Sequence, residues 1–291
     1  MEEPIRTRTI LSRLRTRDTL FGITYNMNLY RGCSHGCIYC DTRSTCYGIG
    51  DISRIRIKEN AVALLEKELS GKKGPKATIG TGSMNDPYMP CEKRHRLTRS
   101  ALEIIARHGF PVHVITKSGL VARDKDILSE ISGKSYAAVS FTVTTSDDTL
   151  ARITEPGATP PSLRFNAMEK LASAGIYTGV TMMPILPFIN DRPENITEIM
   201  RMAASSGASY VLPMFGVTLR EGSRDFFYSA LDKHFPGIKG RYEQTFANRY
   251  ECFSPRYVDL RDAFLQGASR YGLSGSMRFY EPPPPAQLSM F

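Results

Sequence analysis

Between residues 76 and 217 short apolar runs alternate with amphipathic stretches, and no reversal of order interrupts them. KATIGTG, PVHVITK, YAAVSFTVTT, IYTGVTMMPIL and ASYVLPMFGV read as buried strands. The segments between them, RHRLTRSALEIIARHG, ARDKDILSEIS, SLRFNAMEKLASAG and PENITEIMRMAASSG, carry apolar residues at helical spacing. Gly109, Gly175 and Gly207 stand where helix C-caps belong. With FGITYNMNLY as a first strand and KENAVALLEKELSG as its helix, six strand–helix units result. Such alternation implies a parallel sheet with crossover helices. Six units in unbroken order predict a partial (β/α)6 barrel of the TIM type in preference to a doubly wound sheet. In either fold the functional site lies at the carboxyl ends of the strands.

The remainder divides around that barrel, which occupies residues 21–220. Residues 1–20 read as a basic arm carrying Arg6, Arg8, Arg13, Arg15 and Arg17. Residues 221–280 read as a helical C-terminal extension rich in Tyr, Phe, Arg and Lys, and residues 281–291 as an extended, proline-rich tail. Lysine and arginine number 38 against 29 acidic residues, a net charge of +9, which points to a polyanionic partner or to a generally basic protein. No apolar run is long enough for a membrane span and the N-terminus lacks the h-region of a signal peptide, so a cytoplasmic location is expected. In that setting six cysteines suggest metal or redox chemistry before disulfides.

Three of the six crowd into YRGCSHGCIYC: Cys33, Cys37 and Cys40. Gly32 and Gly36 let the backbone curl around whatever the thiols share. Structural zinc usually takes four ligands in two pairs; the nearest fourth candidate is Cys46, and there is no second pair. Three inert buried thiols are the other bland possibility. Three ligands suit a four-iron cluster, whose fourth iron then stays open.

The spacing Cys-x3-Cys-x2-Cys, with Tyr39 before the last cysteine, resembles the radical S-adenosylmethionine (SAM) superfamily. NLYRGCSHGCIYCDTRS, GSMNDPYMPCEKRHRLTRSALEII, VITKSGLVARDKDIL and LARITEPGA resemble successive blocks of its spore photoproduct lyase-like branch, over roughly residues 20 to 275. The resemblance implies a partial barrel of the radical SAM type and a [4Fe–4S] cluster on Cys33, Cys37 and Cys40. It also implies S-adenosylmethionine as the source of a 5′-deoxyadenosyl radical, and an external electron donor. By position it implies cofactor contacts from Tyr39, Ser83, Lys117 and Ser140; the alternatives are a surface lysine for Lys117 and a core hydroxyl satisfied by backbone for Ser140. Spore photoproduct lyases carry a hydrogen-donating cysteine at the end of the second strand. This chain has TIGTGSMNDPYMPC there, so Cys91 either reaches the site as hydrogen donor or is an ordinary loop cysteine. Asp86-Pro87-Tyr88 lines the pocket or simply turns the chain. Met182 and Met183 pack the cofactor or the core, and His35 tunes the cluster or faces solvent. The implied activity is lyase-like radical chemistry on DNA or a nucleobase lesion. Radical modification of RNA or of a peptide, and a non-enzymatic metal-binding adaptor, are the alternatives.

The last five residues, Gln287, Leu288, Ser289, Met290 and Phe291, resemble the short peptide by which bacterial repair proteins hold the DNA sliding clamp. The run Pro282–Pro285 would act as its stiff spacer. Such a tether suits an enzyme working on DNA; a tail folded back on the barrel is the other reading.

Overall fold

The computed structural model describes residues 2–282; the clamp-like peptide, Gln287 to Phe291, lies outside them. Six parallel strands stand side by side in chain order: β1 (Tyr25–Met27), β2 (Ile79–Thr81), β3 (Val112–Thr116), β4 (Ala137–Thr142), β5 (Tyr177–Met182) and β6 (Tyr210–Pro213). Helices α1 (Ala61–Ser70), α2 (Leu97–His108), α3 (Lys125–Lys134), α4 (Pro161–Ala172) and α5 (Pro193–Ser205) connect them in turn. The alternation read from the sequence is therefore the fold.

Alternate residues on each strand serve different masters. On β4, Ala137, Val139 and Phe141 enter the main core beneath the helices. Ala138 faces the barrel interior with Tyr136, Tyr210 and Leu212. The interior is narrow: a Cβ on Gly179 of β5 would stand 2.4 Å from the Tyr210 ring, and one on Gly80 of β2 would stand 2.7 Å from Ile23. These two glycines are the space that the neighbouring side chains fill.

The barrel does not close. Its sheet ends at β6 on one side and, on the other, at Leu11–Arg13, which pairs antiparallel with β1. The segment after the last helix bridges the gap. Ser274 pairs with Tyr210 at the β6 edge, and Phe279 packs so tightly on Gly22 that a Cβ there would lie 2.5 Å from its ring. Covering a free strand edge in this way prevents it from pairing with another chain.

The N-terminal segment differs from the arm expected of residues 1–20. Glu2–Ile5 pairs parallel with Ile55–Lys58, which in turn pairs with Tyr30–Arg31, and Arg17 donates to the Gly22 and Tyr280 carbonyls. Neither Glu2–Ile5 nor Leu11–Arg13 shows an apolar alternation, because each is exposed along most of its length; only pairing with distant residues makes it a strand.

The C-terminal region is likewise more a part of the barrel than an appendage. Residues 216–253 form an insertion after β6. It holds a two-stranded ladder, Gly216–Thr218 with Glu251–Phe253, and helices α6 (Ser223–His234) and α7 (Ile238–Phe246), separated at Gly237. Helix α8 (Tyr257–Tyr271) then returns to pack on α5 as the helix of the sixth unit. The insertion has a small core of its own, in which Val217, Leu219, Phe227, Leu231 and Tyr242 join Cys37, Ile38 and Tyr39. No helix among the described residues is long and apolar enough to cross a membrane.

Candidate active site

The cysteine loop leaves β1 at the carboxyl end of the sheet and is held between two stretches of backbone. On one side Cys33 donates its N–H to the Ile52 carbonyl at 2.8 Å. Gly32 has φ +92°, and a Cβ there would stand 2.5 Å from the Arg54 carbonyl oxygen, so no other residue fits. On the other side Ile38 donates to Thr154 O at 2.9 Å and Gly157 donates to His35 O at 2.8 Å. Gly157 lies against the loop so closely that a Cβ would be 2.3 Å from Ser34 O.

Behind the loop sits a buried ionic group. The Tyr39 hydroxyl donates to Glu155, and Glu155 also accepts from Arg164, whose side chain is 1% exposed. Arg164 spends its other donors on the carbonyls of Thr159 and Thr142, both at 2.6 Å. Burial pushes the Glu155 carboxyl up, but Arg164, Lys117 and Tyr39 outweigh it and hold the pKa below the ordinary carboxylate value. The segment RITEPG thus clamps the loop with two backbone hydrogen bonds and one phenol–carboxylate bond.

Cys33, Cys37 and Cys40 all line one cavity of about 550 Å³ at the mouth of the barrel. All six cysteines are free. Burial pushes the Cys33 thiol up to about 12 and raises Cys37 as well. Such thiols become thiolates only beside a compensating positive charge. Among the described residues no three His, Cys, Asp or Glu side chains are set around a single metal ion. Three free sulfurs ringing a shared cavity suit a larger cationic body, and the fit to an iron–sulfur cluster is good. Asp86 orders the neighbouring wall. It accepts from Thr116 Oγ1 at 2.7 Å, the Lys117 N–H at 2.6 Å and the Tyr88 N–H at 2.9 Å, and it faces His35 Nδ1 at 3.4 Å.

Of the contacts expected from sequence, Tyr39, Ser83 and Lys117 line this cavity. The Lys117 ammonium sits 5.6 Å from the centre of the Tyr39 ring, and Ser83 donates to Asn26 Oδ1 at 2.9 Å. Met183 lines it too, whereas Met182 belongs to the core. His35 is buried at 2% exposure and does not face solvent.

Two expectations need correction. Ser140 does not line the cavity: it is fully buried between His113 Nε2 at 2.7 Å and the Tyr210 hydroxyl at 2.6 Å. Cys91 does not reach the cavity either. The chain turns back after Pro90, and Cys91 packs into the main core at the start of the short helix Glu92–His95. Of the other cysteines, Cys46 is exposed beside Arg220, and Cys252 is buried in the insertion's core. Sequence reasoning overlooked Glu155, Arg164, His113 and Asn26. For Glu155 the available signal was LARITEPGA, in which a glutamate at a helix end is followed at once by a Pro-Gly turn.

Residues 27–203 match the Radical SAM superfamily. The chain belongs to that superfamily. Radical SAM proteins use a [4Fe–4S] cluster and S-adenosylmethionine. An uncharacterized protein of Mycobacterium bovis is 30% identical over 268 residues, which cover 90% of this chain and 77% of the relative. A protein of Pseudomonas phage M6 named Radical SAM Nalpha-GlyT isomerase is 23% identical over 183 residues, 63% of this chain and 37% of that one. Among solved structures, spore photoproduct lyase complexed with dinucleoside spore photoproduct superposes with a TM-score of 0.68 at 16% identity. It covers 93% of this chain and 79% of that chain. The radical SAM methyltransferase TsrM from Kitasatospora setae gives 0.53 at 14% identity, over 82% and 52%. At these identities the structural likenesses establish the radical SAM fold alone.

Proposed function

We propose that this radical SAM enzyme acts on DNA, at a nucleobase or base lesion and with lyase-type chemistry, and that Cys33, Cys37 and Cys40 hold its cluster. The observation that carries the ligand assignment is the presence of all three thiols, and no other cysteine, in the lining of one cavity at the carboxyl end of the sheet. The DNA reading draws support from the net charge of +9 and from the likeness to a lyase seen with a dinucleoside photoproduct.

When bound, the cluster and S-adenosylmethionine supply a 5′-deoxyadenosyl radical once an external donor provides an electron. The chain's own part is to bind, orient and exclude water. Lys117, half-buried beside Tyr39, is the cation suited to the cofactor's carboxylate. Ser83, with Asn26 behind it, offers a hydroxyl on the same wall. Asp86 fixes Lys117 through its backbone N–H, and among the described residues the ammonium has no hydrogen-bond partner. The insertion's apolar core covers the outer side of the cysteine loop and shields it from water and oxygen. In this reading the C-terminal peptide Gln287–Phe291 tethers the enzyme to a sliding clamp.

Anaerobic reconstitution tests the proposal. The parent should take up about four irons per chain, turn brown and release 5′-deoxyadenosine on reduction. Cys33→Ala, Cys37→Ala and Cys40→Ala should each lose the cluster, while Cys46→Ala, Cys91→Ala and Cys252→Ala keep it. A colourless protein holding one zinc refutes the assignment. Deuterium exchanged between cofactor and modified DNA, and not RNA or peptide, identifies the substrate class. Anisotropy of a labelled peptide of residues 282–291 with a bacterial clamp tests the tether.

A further inference from the structure

The cavity that the cysteines line has a second, mostly apolar set of walls, the chamber formed by Phe21, Ile23, Ile115, Met183 and Met214. His113, on β3, also lines it. Of the buried polar side-chain atoms without a partner among the described residues, His113 Nδ1 is the one that belongs to a cavity-lining residue. The residue is fully buried, and burial holds its pKa at about 3, so the ring is neutral.

A neutral imidazole has one N–H, and its hydrogen-bond partners decide which nitrogen carries it. His113 Nε2, Ser140 Oγ and Tyr210 OH form a chain with links of 2.7 and 2.6 Å, and Ser140 is the partner of both ends. The chain can run in two directions. If Nε2 donated to Ser140 and Ser140 to Tyr210, the phenol hydrogen would have no acceptor, and an unprotonated Nδ1 would be unpaired too. If Tyr210 donates to Ser140 and Ser140 to Nε2, every hydrogen in the chain is used. A single group is then left over, the Nδ1–H. Both directions leave one buried donor unpaired, but the first strands an acceptor as well, so the second, with fewer unpaired groups, prevails. The three strands β3, β4 and β6 therefore hold an unpartnered, buried N–H donor on a residue that lines the apolar cavity.

We propose that His113 is a specificity residue whose Nδ1–H donates to a carbonyl oxygen of a neutral, planar heterocycle seated in this chamber, the kind of edge a pyrimidine nucleobase presents. Thioether and aromatic walls suit the faces of such a ring, and the amide of Asn26, whose oxygen is taken by Ser83, has its nitrogen left for a second polar contact. The proposal rests on the nucleobase reading above and sharpens it, since an uncharged donor in an apolar chamber suits a neutral acceptor, whereas a phosphate entering it would shed its hydration without gaining a counter-charge.

The test uses reconstituted protein loaded with S-adenosylmethionine and two probes: thymidylyl-thymidine, and the same dinucleotide with difluorotoluene, which has the shape of thymine without its carbonyls. Calorimetry should show the parent favouring the carbonyl-bearing probe by roughly tenfold, the worth of one buried neutral hydrogen bond. His113→Phe should bind both probes alike, with iron content and cofactor binding unchanged. His113→Asn, which keeps an amide N–H near the place of Nδ1, should retain most of the preference. Ser140→Ala, which frees the ring to change tautomer, should lose part of it, so the proposal does not depend on one variant folding. Equal binding of the two probes by the parent, or a preference that survives in His113→Phe, overturns the proposal and leaves the nucleobase reading standing. If the parent binds cofactor but neither probe, the nucleobase reading falls and takes this proposal with it.

Discussion

Arg164→Met is the substitution that most directly asks whether the segment behind the cysteine loop is a clamp. The side chain is 1% exposed, and it gives donors to Glu155, Thr159 O and Thr142 O. Methionine fills much of the volume but leaves a carboxylate buried without its counter-ion and two carbonyls without donors. Removing one partner of a buried pair costs about 3–5 kcal/mol. For a chain of this size each kcal/mol lowers the melting temperature by about 2 °C, so the expected fall is roughly 6–10 °C. Circular dichroism melts of cluster-free protein under anaerobic conditions measure it without interference from iron.

The pH dependence has a definite sign. In the parent the Glu155 carboxyl is held below its ordinary value of 4.5 despite burial, so it contributes stability at neutral pH that is lost as pH falls through the lower, folded value. Without Arg164 burial dominates and the carboxyl titrates higher. The deficit of the variant is then largest near neutrality and shrinks on acidification toward about pH 4. Adding Glu155→Leu to Arg164→Met removes the stranded charge and should recover much of the loss. A melting temperature within about 2 °C of the parent, or a double variant no more stable than the single, refutes the clamp.

Gly157→Ala places a Cβ 2.3 Å from Ser34 O, backbone against backbone, so the cysteine loop must shift; iron bound per chain after reconstitution should fall well below that of the parent. His113, neutral down to about pH 3 by burial, refuses a proton that the unfolded chain accepts near 6.5. Folding stability should therefore decline as pH drops through that window, by up to about 1.4 kcal/mol per unit, and His113→Asn should show a shallower decline in urea titrations. Binding to duplex DNA should weaken with salt at a log–log slope of about −0.9 per phosphate neutralised, and a flat response between about 50 and 200 mM in a filter-binding assay argues for a substrate other than nucleic acid.

The parts of this molecule that could be read from the sequence are those governed by short spacing. The six units announce themselves because each strand and helix has its own period, and the cysteine loop because three thiols and two glycines leave few alternatives. What escaped depends on depth and on distant pairing. Ser140 was expected at the cofactor, and it does point into the barrel. It stands beside Gly179, however, one interior layer below Thr142 and Thr181, which do line the cavity. Period-two alternation tells the face of a strand and says nothing about height along it. Cys91 follows a turn whose direction no local pattern specifies. Glu155 and Arg164 look like ordinary charges at the end of one helix and the start of the next. Only the folded chain brings them to Tyr39, more than a hundred positions away. The strands at Glu2–Ile5 and Leu11–Arg13 are short, exposed and charged, so their pairing is visible only in the partner.

The packing of Cys37, Ile38 and Tyr39 into the core of the insertion has a consequence for the order of events in the cell. The loop leaves the ribosome well before the residues that complete its outer wall, such as Tyr242 and Phe246, which come about 200 residues later. At about 5–20 residues per second that is a wait of roughly 10–40 s, during which three reactive thiols sit on an unfinished surface. Metal delivered in this interval meets a half-built site open to solvent and to oxidation. The protein is therefore best loaded after its chain is released, and a fragment ending before residue 216, although it would hold every proposed iron ligand, should accept iron and fail to keep it.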